Sequence, residues 1–319
     1  MTVRINSDFS LEMDPGHKAF QDTFDEGFGN SPSVRDILFK VEMSDKPDET
    51  IVALSDVGEP ELRTPGSAPT AQRDVNEQWK YTMTHAEYAM FTKVDEGTWE
   101  DMKLERRASY PMKYGMAMNS KAEALAASVV SGGFATAGPD GEFVFDTDHP
   151  LGNAVGTWSN KGTTALSAAS LAAVRAAMRN QLSPSGRVQQ TPFGRYLVTP
   201  PALEGTAYEV TNARVIGKPA LVTGGSTGAG DVGSEWNDAN FAQSIGVLPV
   251  TWDYLTGSAD DWFVFIAPGD MMEGFQFYWR VAPSYRGGMD EESTRYWMNA
   301  RMRLSTAAID ARQAYGNDV

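Results

Sequence analysis

The sequence predicts an α+β protein organised around one long helical spine. Three observations carry that expectation. Apolar and small residues recur at helical spacing from about Glu96 to Phe134. A run of about fifteen residues starting at Trp79 alternates with the period of a β-strand. In the second half, strand and helix patterns are interspersed rather than arranged as βα repeats, the mark of an α+β fold.

Taken in order, residues 1–33 show little periodicity. Phe9, Leu11, Phe20, Phe24 and Phe28 are scattered among Asp, Gly and Asn up to Gly29-Asn30-Ser31-Pro32. Such an arm reads as a segment that docks on another surface, or as a frayed terminus. Val34 to Glu42 reads as a strand or the start of a short helix. Residues 44–78 are rich in Asp, Glu, Pro, Gly, Ser and Thr, with prolines at 47, 60, 65 and 69. So long a polar excursion marks a functional loop or a disordered segment. The composition of the loop over residues 50–78 cannot bury itself, so its ordering is expected only on assembly. Trp79, Tyr81, Met83, His85, Glu87, Ala89 and Phe91 then occupy one face of a long strand. A loop followed by such a strand implies an extended two-stranded arm, which is poorly stable without a partner surface.

The spine opens near Thr98 with Glu100, Asp101 and Glu105 in its first turns, where a helix N-terminus favours negative charge. Trp99, Met102 and Leu104 supply apolar contacts; Met112, Tyr114, Met116, Met118, Leu125, Val129 and Val130 continue them. Pro111 is expected to kink the run or split it, because proline removes a backbone donor. Gly132-Gly133 should stop it. Unbroken, the helix would be about 50 Å long at ~1.5 Å per residue.

Beyond the spine, Pro139-Asp140-Gly141 signals a turn. Leu166 to Leu182 predicts an amphipathic helix with Ser167 as N-cap and Leu171, Val174, Ala177 and Met178 on its apolar face. Arg195 to Thr199 reads as a buried strand, and Pro200-Pro201 starts a short helix through Leu203, Ala207 and Val210. Residues 217–240 form a Gly, Ser and Thr-rich loop. Ile245 to Tyr254 and Trp262 to Ile266 are expected strands. The tail places Phe275, Phe277 and Trp279 on one face, then Tyr296, Met298, Ala300, Met302 and Leu304 on another.

Composition excludes several classes. The 319 residues include no cysteine, which rules out disulfides and thiolate metal sites. The N-terminus lacks the layout of a signal peptide, and no apolar run approaches the ~18 residues that span a bilayer. A soluble protein made in cytosol, without a membrane partner, is expected. The net charge of −15 argues against a dedicated nucleic-acid binder, yet suits a surface that lies near nucleic acid without adhering.

Candidate chemistry is sparse. Gly228-Ala229-Gly230-Asp231-Val232-Gly233 matches a dinucleotide fingerprint, but a polar loop follows where a helix should open. Asp146, Asp148 and His149 have metal-ligating side chains, yet the only other histidines are His17 and His85 and no partner cluster is evident. A structural Asp-His-Pro turn is the simpler reading, with a metal-dependent hydrolase as the rival of a different class. No G-x-S-x-G elbow occurs. Glu291-Glu292 and Asp260-Asp261 read as solvated pairs. No enzyme and no cofactor are expected.

The order of features resembles the tailed-phage major capsid proteins, specifically the Mu-like major head subunits. Pro111-Met112-Lys113-Tyr114-Gly115-Met116-Ala117, Ala122 to Ala126 and Phe134 resemble the spine region of that family. Asp140-Gly141, Phe143 to Phe145, His149-Pro150 and Trp158-Ser159-Asn160 follow its central pattern. Leu166-Ser167, Ser170-Leu171, Gly186 and Leu197 to Glu204 match its helix and strand-to-helix turn. The similarity covers about residues 80–215, with the arm, loop and tail matching in layout only.

The resemblance implies the Hong Kong 97-type fold. On this chain it implies an N-terminal arm over 1–49, an extended E-loop over 50–94 and a P-domain with the spine helix over 95–183. An A-domain over 184–270 and return strands of the P-domain over 271–319 complete it. It implies self-assembly as pentamers and hexamers into an icosahedral head that encloses double-stranded DNA. Expected partners are portal, scaffold or maturation protease and a decoration protein, with synthesis in the host bacterial cytoplasm and residence in the virion. Phe9, Phe20, Phe24, Leu62, Arg63, Trp79, Tyr81 and Met83 are the expected inter-subunit contacts. An encapsulin-like shell enclosing protein cargo is the alternative within the same fold.

Overall fold

The computed structural model describes residues 18–55, 62, 65–66, 77–152, 154–188, 194–212, 215–217, 237–239, 246–269, 273–290 and 292–319. In chain order, helices α1 (Lys18–Gly29) and α2 (Arg35–Leu38) precede strands β1 (Lys40–Met43), β2 (Asp48–Leu54), β3 (Glu77–Thr84) and β4 (Ala86–Asp95). Helices α3 (Glu96–Asp101) and α4 (Leu104–Ser131) lead to strands β5 (His149–Pro150), β6 (Thr157–Trp158) and β7 (Lys161–Gly162). Next come α5 (Ala168–Arg179), β8 (Tyr196–Thr199), α6 (Glu204–Asn212), β9 (Val215–Gly217), β10 (Asn237–Ala239), β11 (Leu248–Thr251) and β12 (Trp262–Phe265). Two long strands, β13 (Phe275–Asp290) and β14 (Arg295–Ala308), precede the short β15 (Ala314–Asn317).

The chain divides into two compact units. One comprises residues up to Ile51 with Tyr81–Ala127 and Gln276–Ala307; the other comprises Val52–Lys80, Ser128–Phe275 and Ala308–Val319. Among the described residues no helix is long and apolar enough to cross a membrane.

The first unit is built on a sheet of order β1-β13-β14-β4. Strand β14 pairs antiparallel with β4 from Arg295↔Asp95 to Leu304↔Ala86. Alternation then sorts the side chains: Tyr296, Met298, Ala300, Met302 and Leu304 are buried, whereas Arg295 and Arg301 of the other face are exposed. Helix α1 crosses the spine α4 at very short range. A Cβ on Gly115 would strike the backbone of Phe24 and Phe28, and one on Gly27 would strike the backbone of Met112. Two glycines therefore let the helix backbones touch, and Phe20 and Phe24 fill the space beside them. Phe20 packs near Trp99, and Phe24 stacks on Tyr285.

The spine starts later than its sequence pattern. The chain breaks at Met102, which is extended, and α4 begins at Leu104. The buried Arg107 holds this break, donating from Nε and Nη2 to the Met102 carbonyl at 2.9 and 2.7 Å and from Nη2 to that of Glu100 at 3.1 Å. Carbonyls released at the end of α3 are thus satisfied by one side chain. Pro111, expected to kink the run or split it, lies inside α4 and does not split it. The spine ends at Ser131, where Gly132-Gly133 enter a 3₁₀ turn, as expected.

The expected fifteen-residue strand is also two strands. It is interrupted at His85, whose buried ring follows Tyr81 and Met83 inward and is held between Ser44 and Ser305, after which the inward positions shift to Tyr88 and Met90. Strands β2 and β3 form a separate two-stranded ribbon.

The second unit carries a five-stranded mixed sheet of order β11-β8-β12-β15-β7. Helix α5 starts where expected, with Ser167 and Ser170 forming a reciprocal capping box. Its Leu171, Val174 and Met178 join Leu197, Ala207, Val210, Trp262 and Val264 in one core. Phe134, Phe145 and Phe263 form a second cluster, with ring centroids 5.1–5.7 Å apart.

Candidate inter-subunit surface

The residues expected to meet a neighbouring subunit fall into four groups. Phe9 and Arg63 lie outside the described residues, as does the glycine motif 228–233. Phe20 and Phe24 reverse the expectation, because α1 is an amphipathic helix whose apolar face is spent within its own chain; both are buried. Met83 is likewise buried at the inner end of the ribbon, while Trp79 and Tyr81 on the same face of β3 are half-buried. Leu62 alone is fully open, at 100 % exposure.

At the root of the ribbon, a buried hydrogen-bond chain is fully directed. Ser44 donates to Glu49 Oε1 at 2.6 Å, so its oxygen accepts from His85 Nε2 at 3.2 Å. His85 Nδ1 then accepts from Ser305 at 3.0 Å. Burial first, and then the neighbouring Arg303, push the His85 pKa below its ordinary value. The ring therefore favours the neutral form that this pattern requires.

A second anchor went unread in the sequence. Glu123, on the spine, is buried and accepts from Ser33 Oγ at 2.8 Å and from the backbone N–H groups of Val34 and Arg35 at 3.2 Å each. The Arg35 guanidinium lies over the rings of Phe277 and Trp279 at 4.9 and 5.4 Å. Residues 33–35 are thereby tied to the spine and the sheet at once. A lone glutamate in an alanine-rich helix gave no sign of this.

The residues that carried the family resemblance meet in one buried knot. Asn160 Nδ2 faces the carbonyls of Val144, Ala311 and Ala314 at 2.8, 3.1 and 3.4 Å. Its Oδ1 accepts from the Asp146 N–H at 2.9 Å and from His149 Nε2 at 3.0 Å. The other ring nitrogen of His149 meets Asp140 Oδ2 at 2.7 Å, and Trp158 stacks on the ring at 4.3 Å. Both nitrogens of His149 are thus engaged, and neither is open to a metal. The rival trio of Asp146, Asp148 and His149 is not assembled as a metal site. Glu142, Asp146 and Asp148 do bring carboxylate oxygens within 4.8 Å of one another. Burial would raise the Asp146 carboxyl, but hydrogen bonds from backbone N–H groups, the Thr147 N–H first among them at 2.7 Å, hold it below the usual range. These three acids could hold a cation without the imidazole that a catalytic trio would add. Asp261 also departs from its reading as a solvated acid: it is buried, accepts from the Val319 N–H at 3.1 Å, and has its pKa raised chiefly by burial.

On the outer face of the first sheet, Phe91, Lys93, Met289, Asp290 and Trp297 line a groove. Phe91 stacks on Trp297 with centroids 6.5 Å apart, yet remains 56 % exposed. A groove of this kind, like Leu62, is apolar surface that the described residues of the chain do not cover.

The sequence matches the model of the phage capsid protein family over residues 91–317, well over half of its length. No curated protein matches it. Among solved structures, the virus-like particle of Pyrococcus furiosus superposes with a TM-score of 0.54 at 8 % identity, covering 94 % of this chain and 98 % of that one. A capsid chain of the native GTA particle gives 0.53 at 14 %, covering 89 % of each. A chain of the bacteriophage JBD30 capsid decorated with minor capsid protein trimers gives 0.52 at 18 %, covering 80 % of this chain and all of that one. The Hong Kong 97-type fold implied by the resemblance to tailed-phage major capsid proteins is borne out. With the capsid motif residues gathered in the knot around Asn160 and the family pattern running through both units, the chain belongs to the phage capsid protein family.

Proposed function

We propose that this protein is the repeating subunit of a tailed-phage head, assembling as pentamers and hexamers into a closed icosahedral shell around double-stranded DNA. One observation supports this most directly. Among the described residues, strands β2 and β3 pair only with each other, and Leu54 on the ribbon and Leu62 beyond it are exposed. A two-stranded ribbon is marginal alone and gains stability when laid on another subunit. Such contacts join different patches on neighbouring copies and close into a shell only by rotation. The proposed division is an arm over 1–49, an E-loop over 50–94, a P-domain over 95–183, an A-domain over 184–270 and return strands over 271–319. Portal, scaffold or maturation protease and a decoration protein are the proposed partners, and the host bacterial cytoplasm the site of synthesis. The family is structural, and we read this chain as non-enzymatic. The net charge of −15 suits a wall that DNA touches without adhering.

Negative-stain microscopy of the purified chain, with size-exclusion chromatography, tests the proposal. Closed particles, or rings of five and six, are the expected result. A compact monomer or dimer at every salt and protein concentration would overturn it. Protein cargo in place of DNA inside particles recovered from infected cells would point to a compartment shell.

A further inference from the structure

Strand β4 is an outermost strand of the first sheet. It pairs with β14 on one side, and among the described residues no strand pairs with its other side. No backbone hydrogen bond from a described loop or helix reaches residues 86–95 there either. Along its 10 residues, alternate N–H and C=O groups are thus left as a template for a further strand. The side chains fit that use. Glu87, Ala89, Phe91 and Lys93 share one face and are all exposed, while Tyr88, Met90, Thr92 and Val94 of the other face are half-buried. A lysine on an open edge ordinarily repels another chain. Here Glu87 and Lys93 stand at mirrored positions about Met90, and Glu87 has no ion pair among the described residues. Arg303 lies opposite Glu87 on β14 but directs its Nε to the His85 carbonyl.

Directly opposed side chains of antiparallel strands lie on one face of the sheet. A strand that meets its own copy across a two-fold must therefore pair even positions with even and odd with odd. Centring the pairing on Met90 does this from Ala86 to Val94. It opposes Glu87 to Lys93 of the second copy twice over, and Ala89 to Phe91, a small side chain against a large one. Centring on Ala89 instead would set Glu87 against Phe91, and centring on Phe91 would set Glu87 against Asp95, like charge against like. We propose that two copies of the chain pair antiparallel through β4, centred on Met90, and join their sheets into one across a two-fold axis. The proposal rests on the shell reading. Rings of five and six close through contacts between unlike patches, whereas a self-complementary strand joins two subunits and no more. Strand β4 therefore links one ring to the next. Each link is small, and the shell multiplies it.

Charge swaps in the full-length chain test it. Glu87→Lys sets lysine against lysine at both pairs, and Lys93→Glu sets glutamate against glutamate. Each should still give rings of five and six but lose closed particles, because like charges opposed across strands repel. Both side chains are exposed, so circular dichroism and melting temperature should stay near those of the natural chain. The double variant E87K/K93E should recover closed particles, since opposite charges face each other again. A second readout is independent of charge. In this cysteine-free chain Met90→Cys brings two thiols face to face within the span of a disulfide, so oxidation by diamide should give a covalent dimer. Thr92→Cys, held about 13 Å out of step with its copy at ~3.3 Å per residue, should stay monomeric on a denaturing gel. Closed particles from both single charge variants would overturn the pairing, as would loss of the rings themselves or failure of a folded E87K/K93E to recover particles. Crosslinking of Thr92→Cys in place of Met90→Cys would overturn it as well, and that comparison decides alone if the charge variants misfold. If the unaltered chain forms neither rings nor particles, the shell reading fails. The β4 pairing is then judged by the Met90→Cys dimer, and its absence overturns the pairing too.

Discussion

His85 shows how one side chain sets a pH limit on the fold. It accepts a hydrogen bond from Ser305 only while its Nδ1 is unprotonated, and Arg303, Arg280, Asp48 and Glu49 all act on its charge. Its folded pKa lies below its unfolded one. Its contribution to stability is therefore complete above about pH 6.5 and is lost as pH falls from there through the folded value. Melting temperature followed from pH 7.5 to 5 should fall more steeply in the natural chain than in His85→Gln. Parallel curves would show that His85 contributes nothing to the pH dependence. Asn160 makes a stricter test of the motif knot. Asn160→Ala would leave buried carbonyls and two donors unmatched, at a cost of about 3 kcal/mol or more given ~1–3 kcal/mol per orphaned group. Asn160→Asp keeps the shape but turns an oxygen toward the carbonyls of Val144 and Ala311. It should be as damaging as alanine in urea unfolding. If aspartate restored stability, packing alone would account for the position.

At the scale of elements, periodicity revealed what existed and missed where it stopped. The spine, α5, β8 and the two tail strands were legible because long apolar patterns dominate them. The ends were set by single side chains acting across the fold. Arg107 closes α3, and His85 splits the long strand. Neither interaction leaves a local sequence signal. Helix α1 was missed because Phe20, Phe24 and Phe28 looked scattered; two of them in fact sit one helical turn apart on the face that meets the spine. Gly27 and Gly115 lie at that crossing, where glycine is required by proximity rather than by dihedral angle. Gly115→Ala should cost about 1–3 kcal/mol, the usual range for overpacking, even though alanine is the better helix former. Denaturant titration would settle the sign. A stabilised Gly115→Ala variant would mean that α1 can move away from the spine without loss.

At the scale of the whole molecule, segments distant in sequence complete each unit, and the second sheet makes this testable. Strand β15 is nearly the last segment of the chain, yet it lies between β12 and β7 in the interior of its sheet. It pairs with all of β12 from Trp262↔Asn317 to Phe265↔Ala314. Gly316 also fits against Phe134 and Phe145, leaving no room for a side chain. Removing residues 314–319 would uncover the edge of a fully buried strand, Trp-Phe-Val-Phe, and open the aromatic cluster beside it. An exposed apolar edge of that kind recruits other chains instead of water. The truncated protein should therefore appear in the insoluble fraction. Removing only Asp318 and Val319 deletes one half-exposed ion pair, one hydrogen bond to Asp261 and one backbone hydrogen bond to Gly162. That shorter truncation should stay soluble with native circular dichroism. A soluble, native-like protein lacking 314–319 would show that the paired strands β11, β8 and β12 suffice to hold the sheet without β15.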